Sequence, residues 1–172
     1  MAAKYDTRHR EFNLLIVDGY NLLRAVQNLT DQSSGITDIQ ICQLINEYLY
    51  RMKKKGCLVF DGIGPRDKSP FNNLFCLDII FSGTTREADD DIEEMILESS
   101  APKSLIVVSS DRRIKKSAEK RKATAVDCVD FWMEMLKQLE RKKKKAAEPQ
   151  AKFAGISESE TDFWLREFGF IK

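Results

Sequence analysis

The run LLIVDGYNLL, residues 14–23, begins as a core strand and then breaks its own pattern. Leu14, Leu15, Ile16 and Val17 are apolar and partly β-branched, and Asp18 follows them directly. A carboxylate at the end of a buried strand costs free energy unless its charge is compensated. The run belongs to FNLLIVD (12–18), and four similar runs follow: CLVFD (57–61), CLDIIFSG (76–83), SLIVVSSD (104–111) and ATAVDCV (123–129). Most are continuous rather than alternating, as expected of strands buried on both faces of a parallel sheet. Helical spacing lies between them. Residues 38–54 place Ile41, Leu44, Ile45, Tyr48 and Leu49 on one face, residues 88–98 place Ile92, Met95 and Ile96, and residues 130–145 place Phe131, Met135, Leu136 and Leu139. Strand and helix in alternation predict an α/β fold: an open, mostly parallel, Rossmann-like sheet of about five strands, flanked by helices and joined by right-handed crossovers.

The 172 residues suffice for one domain of ordinary size plus a tail. The expected divisions are an N-terminal arm (1–11), the α/β domain (12–140), a basic linker (141–156) and a C-terminal aromatic docking helix (157–172). In that last piece Ser157 and Glu160 fit a capping box. Phe163, Trp164, Leu165, Phe168 and Phe170 are too apolar for a free tail, so the segment is expected to dock on a partner chain, a second copy or another protein, with packing on its own domain as the alternative. No apolar run reaches the roughly 20 residues of a membrane span, and MAAKYDTRHREF lacks the apolar core of a secretory signal. A cytoplasmic protein with no membrane partner is expected. The four cysteines are scattered and the single histidine lies in the N-terminal arm, so packed thiols are expected rather than zinc.

The net charge of +1 is uninformative, but its distribution is not. Basic residues concentrate in 111–122 and 141–145, acidic ones in READDDIEE (86–94). Opposed patches cancel in a sum while each makes a strong local field.

Asp18 ends the first strand run, Asp61 the second and Asp111 the fourth, while Glu87, Asp89 and Asp90 fall at the start of the helix after the third. In an open parallel sheet ligands bind at the carboxyl ends of the strands, so these acids are expected at one edge. Taken singly, each has an ordinary explanation. An Asp after a strand is a turn former or N-cap, and an acidic helix start complements the macrodipole. Together they would repel one another without a cation. Oxygen donors without His or Cys select Mg²⁺ or Mn²⁺, and a cluster of this size can hold two ions about 3.5–4 Å apart, as in metal-dependent nucleases.

The motifs IVDGYN, VFDG, EADDDIE and VVSSDR resemble, in order and spacing, those of NYN-domain proteins of YacP-like type, within the wider PIN-like nuclease superfamily. The resemblance covers roughly residues 12–140. It implies a PIN-like sheet and a metal-dependent endoribonuclease cleaving single-stranded RNA by two-metal-ion hydrolysis, with Asp18 as the central ligand. Asn21 matches the Asn of the D-G-Y-N motif, Glu87, Asp89 and Asp90 an E-A-D-D motif, and Asp111 an S-D motif. Asp61 matches an F-D-G motif better known in 5′-nucleases. Asp18, Asn21, Asp89, Asp90 and Asp111 are thus the candidate catalytic residues, and Asp18, Asp61, Glu87, Asp89, Asp90 and Asp111 the candidate metal ligands. Asp91 stands where the family carries an apolar residue, which leaves open which of Asp89, Asp90 and Asp91 face the metal. Gly19 is expected to turn the chain away from the sheet. Tyr20 has two open roles, stacking a base or packing on the next helix.

Arg66, Lys68, Arg86, Arg112 and Arg113 flank the acids and are candidates for gripping RNA phosphates, against the alternative of a solvated surface. Nothing in the chain reads a base sequence. By analogy with the family, the choice of RNA, in decay or processing, would come from a partner such as the ribosome or from RNA structure. Three alternatives stand beside this reading: a catalytically weak RNA-binding adaptor, a DNA 5′-nuclease, and a haloacid-dehalogenase-type phosphatase. The last needs a second Asp two residues after the first, where this chain has Tyr20.

Overall fold

The computed structural model describes residues 13–29 and 35–147. The expected N-terminal arm, the linker beyond residue 147 and the aromatic segment lie outside them. The elements run β1 (Asn13–Asp18), α1 (Gly19–Leu29), α2 (Asp38–Met52), β2 (Lys55–Phe60), β3 (Leu77–Phe81), α3 (Ala88–Glu98), β4 (Ile106–Val108), α4 (Arg112–Lys120), β5 (Thr124–Val126) and α5 (Cys128–Ala147). One five-stranded sheet, ordered β3-β2-β1-β4-β5, pairs in parallel throughout. The expected α/β sheet is the one observed.

Strand parity explains why the apolar runs are continuous. Leu15, Val17, Leu58 and Phe60 face a core shared with α1, α2 and α5, where Leu22, Ile45, Phe131 and Trp132 are buried. Ile16, Cys57, Val59 and Val107 face the opposite core, shared with Ile92 and Ile96 of α3 and Ile114 and Ala118 of α4. With both faces covered, neither parity can be polar. α2 is closed at its start by a capping box, Thr37 with Gln40, and at its end by Lys53 in the left-handed conformation (φ 53°). None of the described helices is long and apolar enough to cross a membrane.

The sheet order fixes where a ligand can bind. The chain leaves β1 on one side for β2 and β3, then returns to the other side for β4 and β5. Neighbouring connections diverge at the carboxyl ends of β1 and β4, and a crevice opens there.

Two helices carry little sequence signal. α1 starts on Gly19 with no loop after β1. Gly19 therefore does not act as a sharp turn, and it is not among the positive-φ glycines. Its requirement is space: a Cβ would sit 2.5 Å from the Phe60 ring and 2.9 Å from the Val59 carbonyl oxygen. The first turn of α1 can press onto β2 only without a side chain there. α4 is strongly basic and buries only Ile114 and Ala118, one turn apart.

Candidate active site

Asp18, Asp61, Glu87, Asp89 and Asp111 line one cleft of about 330 Å³ at the carboxyl edge of the sheet, together with Tyr20, Asn21, Arg24 and Ala88. At about 30 Å³ per water, that is room for a phosphate group with hydrated cations.

Asp18 is the deepest of the acids, 4% exposed. Its Oδ1 accepts the Asn21 backbone N–H (3.1 Å), and its Oδ2 accepts the Ser109 hydroxyl (3.1 Å) and the Asn21 side-chain amide. Hydrogen bonds to a charged group contribute about 1.5–3 kcal/mol each, so three of them offset much of the cost of burial. They also fix the carboxylate's rotamer. Ser109, fully buried, further accepts the Asp111 backbone N–H (3.0 Å) and so ties the loop after β4 to the end of β1.

A matching arrangement stands one strand pair away. Asp61 follows β2, and its Oδ1 accepts the hydroxyl of Ser82, which follows β3 (3.0 Å). The same oxygen accepts the Ala88 N–H at the start of α3 (3.2 Å). Asp111 is the N-cap of α4, accepting from the backbone of Arg113 (2.6 Å) and, more weakly, Ile114 (3.4 Å). The ordinary N-cap explanation of SSDRR is thus true, and Asp111 lines the cleft as well.

Three consecutive acids separate because helix residues step by about 100°. Asp89 lines the cleft. Asp90 turns outward to Arg113 (2.7 Å), whose hydrogen bond and charge hold its carboxyl below the usual range. Asp91 is buried beside Arg86 (3.0 Å). Of the acids expected at the edge, Asp90 is the one outside the cleft lining.

Asp89's carboxyl is pushed above its ordinary value, first by burial, then by the charges of Asp18 and Asp111, with Arg113 opposing and Glu87 adding. Those acids are therefore close enough to feel one another. The donor set is all carboxylate oxygen, which fits a hard divalent cation. Among the described residues no three acidic, His or Cys side chains form a ready-made cage. The fit is thus one of donor chemistry and charge, with Asp18 and Asp61 already held by neighbouring hydroxyls and amides.

The expected basic residues divide. Arg86 bonds Asp91 and Glu94 (2.7 Å), and Arg113 bonds Asp90 and Glu93 (2.9 Å), so both clip α3. Lys68 lies 5.2 Å over the Phe81 ring, and Arg66 and Arg112 are exposed. Two hydroxyls and one cation escape sequence reading: Ser82, Ser109 and Arg24. Each serine directly follows a strand, the position Asp18 and Asp61 nearly share, and that parallel is the signal. Arg24 becomes visible once DGYN is read as opening a helix, since it then lies one turn beyond Tyr20.

The fold resembles that of the crystal structure of Rae1 (YacP) from Bacillus subtilis, at 22% identity and a TM-score of 0.60, over 91% of this chain and 92% of that one. A single-substitution variant of the Bacillus subtilis protein matches at 21% identity and a TM-score of 0.60, over 86% and 88%. No curated protein sequence matches. A model of the YacP-like NYN domain matches residues 15–162, which take in the whole cleft and all five strands, the first two residues of β1 aside. The chain belongs to the YacP-like NYN domain family, whose fold is that of the PIN-like nucleases.

Proposed function

We propose that this protein is a Mg²⁺- or Mn²⁺-dependent endoribonuclease that hydrolyses phosphodiester bonds in single-stranded RNA. The observation that carries the reading is the convergence of five carboxylates on one cleft at the carboxyl edge of the sheet, where burial, Asp18 and Asp111 resist ionisation of Asp89. That arrangement is costly for a protein that binds no cation. Bound divalent ions, a pair by the two-metal precedent, supply the charge that lowers the pKa of water and stabilises a phosphate as its charge develops.

The chain's own residues divide the work. Asp18, Asp89 and Asp111 would hold the ions, with Glu87 and Asp61 at the rim. Asn21 and Ser109 keep Asp18 in one rotamer, so its oxygens stay aimed while substrate arrives. Asp61 braces the start of α3 and thereby the position of Asp89. Family membership favours RNA over DNA, and a partner such as the ribosome, or RNA structure, would choose the target.

The test is to incubate the protein with end-labelled single-stranded RNA and DNA in Mg²⁺ or Mn²⁺, with Asp18→Asn as control. Internal cuts in RNA that vanish with the variant are expected. Binding without cleavage would return the adaptor reading, and stepwise cutting of DNA from its 5′ end the 5′-nuclease reading.

A further inference from the structure

Of the arginines near the acids, Arg24 alone lines the cleft. Arg86 and Arg113 are committed to ion pairs with α3, whereas Arg24 has no hydrogen-bond or ion-pair partner among the described residues. It is exposed, although five carboxylates share its cleft. A guanidinium kept unpaired beside so many acids is available to an incoming anion. Its planar fork matches two phosphate oxygens at once.

Tyr20 stands four residues earlier on α1, so the two side chains share one helix face about 5–6 Å apart at Cβ. The Tyr20 ring meets Phe60 edge-on, with centroids 5.2 Å apart and planes at 68°. Phe60 in turn stacks on Phe81 at 5.7 Å. This aromatic row anchors Tyr20 on the sheet while leaving it 39% exposed at the cleft. A fixed, half-exposed ring is a stacking platform for a base.

We infer that Tyr20 and Arg24 form a one-nucleotide subsite on α1, the ring taking an unstacked base and the guanidinium the adjoining phosphate, and that this pair selects single strands. The inference rests on the nuclease reading above and adds the residues that discriminate strandedness. In a duplex the bases are stacked and paired, so no face is offered to the ring. Arg24 would then hold the strand against the acid wall, where phosphate would otherwise be repelled.

The experiment separates this subsite from the chemistry. Binding of a labelled single-stranded oligoribonucleotide, and of its duplex, is measured by fluorescence anisotropy in Ca²⁺, with cleavage in Mn²⁺ measured alongside. Arg24→Ala and Tyr20→Leu should each weaken single-strand binding by about tenfold, the scale of one lost stacking or phosphate contact. Tyr20→Phe should restore much of it and Arg24→Lys, which keeps the charge but not the two-pronged fork, only part, and the preference for single strand over duplex should shrink in Tyr20→Leu. Circular dichroism checks that each variant is folded. If the two truncating variants bind single strands as the wild type does, or if Tyr20→Leu keeps the full strand preference, the subsite is refuted even when the wild type cleaves. A wild type that binds as expected yet never cleaves RNA overturns the nuclease reading and leaves the subsite standing.

Discussion

Two pairs of strand ends carry the same device in different surroundings. At β1 and β4, Asp18 is 4% exposed and Ser109 is fully buried beneath it. At β2 and β3, Ser82 is buried but Asp61 is exposed. Both oxygens of Asp18 accept hydrogen bonds, from Asn21 and Ser109. Asp61 uses one oxygen, shared between Ser82 and the first amide of α3. The difference follows from sheet order. β1 is central and its end lies at the switch point, whereas β3 is an edge strand. The inner pair is thus built to hold a charge in a fixed place, and the outer pair to brace a helix that carries other acids.

The sharpest way to break this comparison is to neutralise each aspartate without changing its shape. Asp18→Asn should lower RNA cleavage by on the order of 10²–10³-fold or more, the scale of losing a key charge-stabilising group, with an unaltered circular dichroism spectrum. Asp89→Asn and Asp111→Asn should fall in the same class, and Asp61→Asn should be milder. Equal losses for Asp18 and Asp61 would erase the distinction and make Asp61 a primary ligand.

The serines sharpen it further. Ser109→Ala removes one of three donors to Asp18 and should reduce metal affinity or cleavage by about 10–100-fold, as supporting hydrogen bonds at metal sites do. Ser82→Ala should cost less, because Asp61 keeps the Ala88 amide. A titration of cleavage against Mn²⁺ concentration ranks the two, and a larger effect for Ser82 would reverse the assignment of inner and outer pairs.

A smaller effect concerns pH in the metal-free protein. Asp89 has its folded value raised above 3.8. Between the two values the folded state keeps a proton that the unfolded state has released. Stability is then full below the ordinary value and declines as pH rises through the raised one. In the Asp89→Asn variant the amide cannot titrate. Its advantage over wild type should therefore grow across that window and level off above it, in denaturant unfolding with chelator present. A flat difference would mean that Asp89 does not sense its neighbours.

The sheet and the acid edge are readable in the sequence for one reason: buried parallel strands leave continuous apolar runs, and a charge directly after such a run is conspicuous. Asp18, Asp61 and Asp111 are legible on that ground. Asp89 and Asp90 are not separable from sequence, because three adjacent acids can be told apart only once Ala88 and Ile92 fix the helix phase. α1 and α4 are hidden for different reasons. α1 opens on Gly, Tyr and Asn, poor helix formers, and α4 buries too narrow a stripe to show periodicity. Ser82 and Ser109 pass unnoticed near the ends of the apolar runs 76–83 and 104–111, since a hydroxyl there carries no charge to betray its role. Arg113 and Arg86 are expected at phosphates because they flank the acids in sequence, but flanking residues on neighbouring elements also make the nearest ion pairs.

The central claim is that the inner carboxylates form a divalent cation site, and thermal unfolding in Mg²⁺ or Mn²⁺ against chelator tests it most directly. Binding to the native state alone stabilises by RT ln(1 + [L]/Kd), about 2.7 kcal/mol at roughly 100 times Kd. The wild type should show a clear rise in Tm at millimolar metal, and an Asp18→Asn/Asp89→Asn double variant should show none. No rise in the wild type, or an equal rise in the double variant, would contradict a metal site at the end of β1.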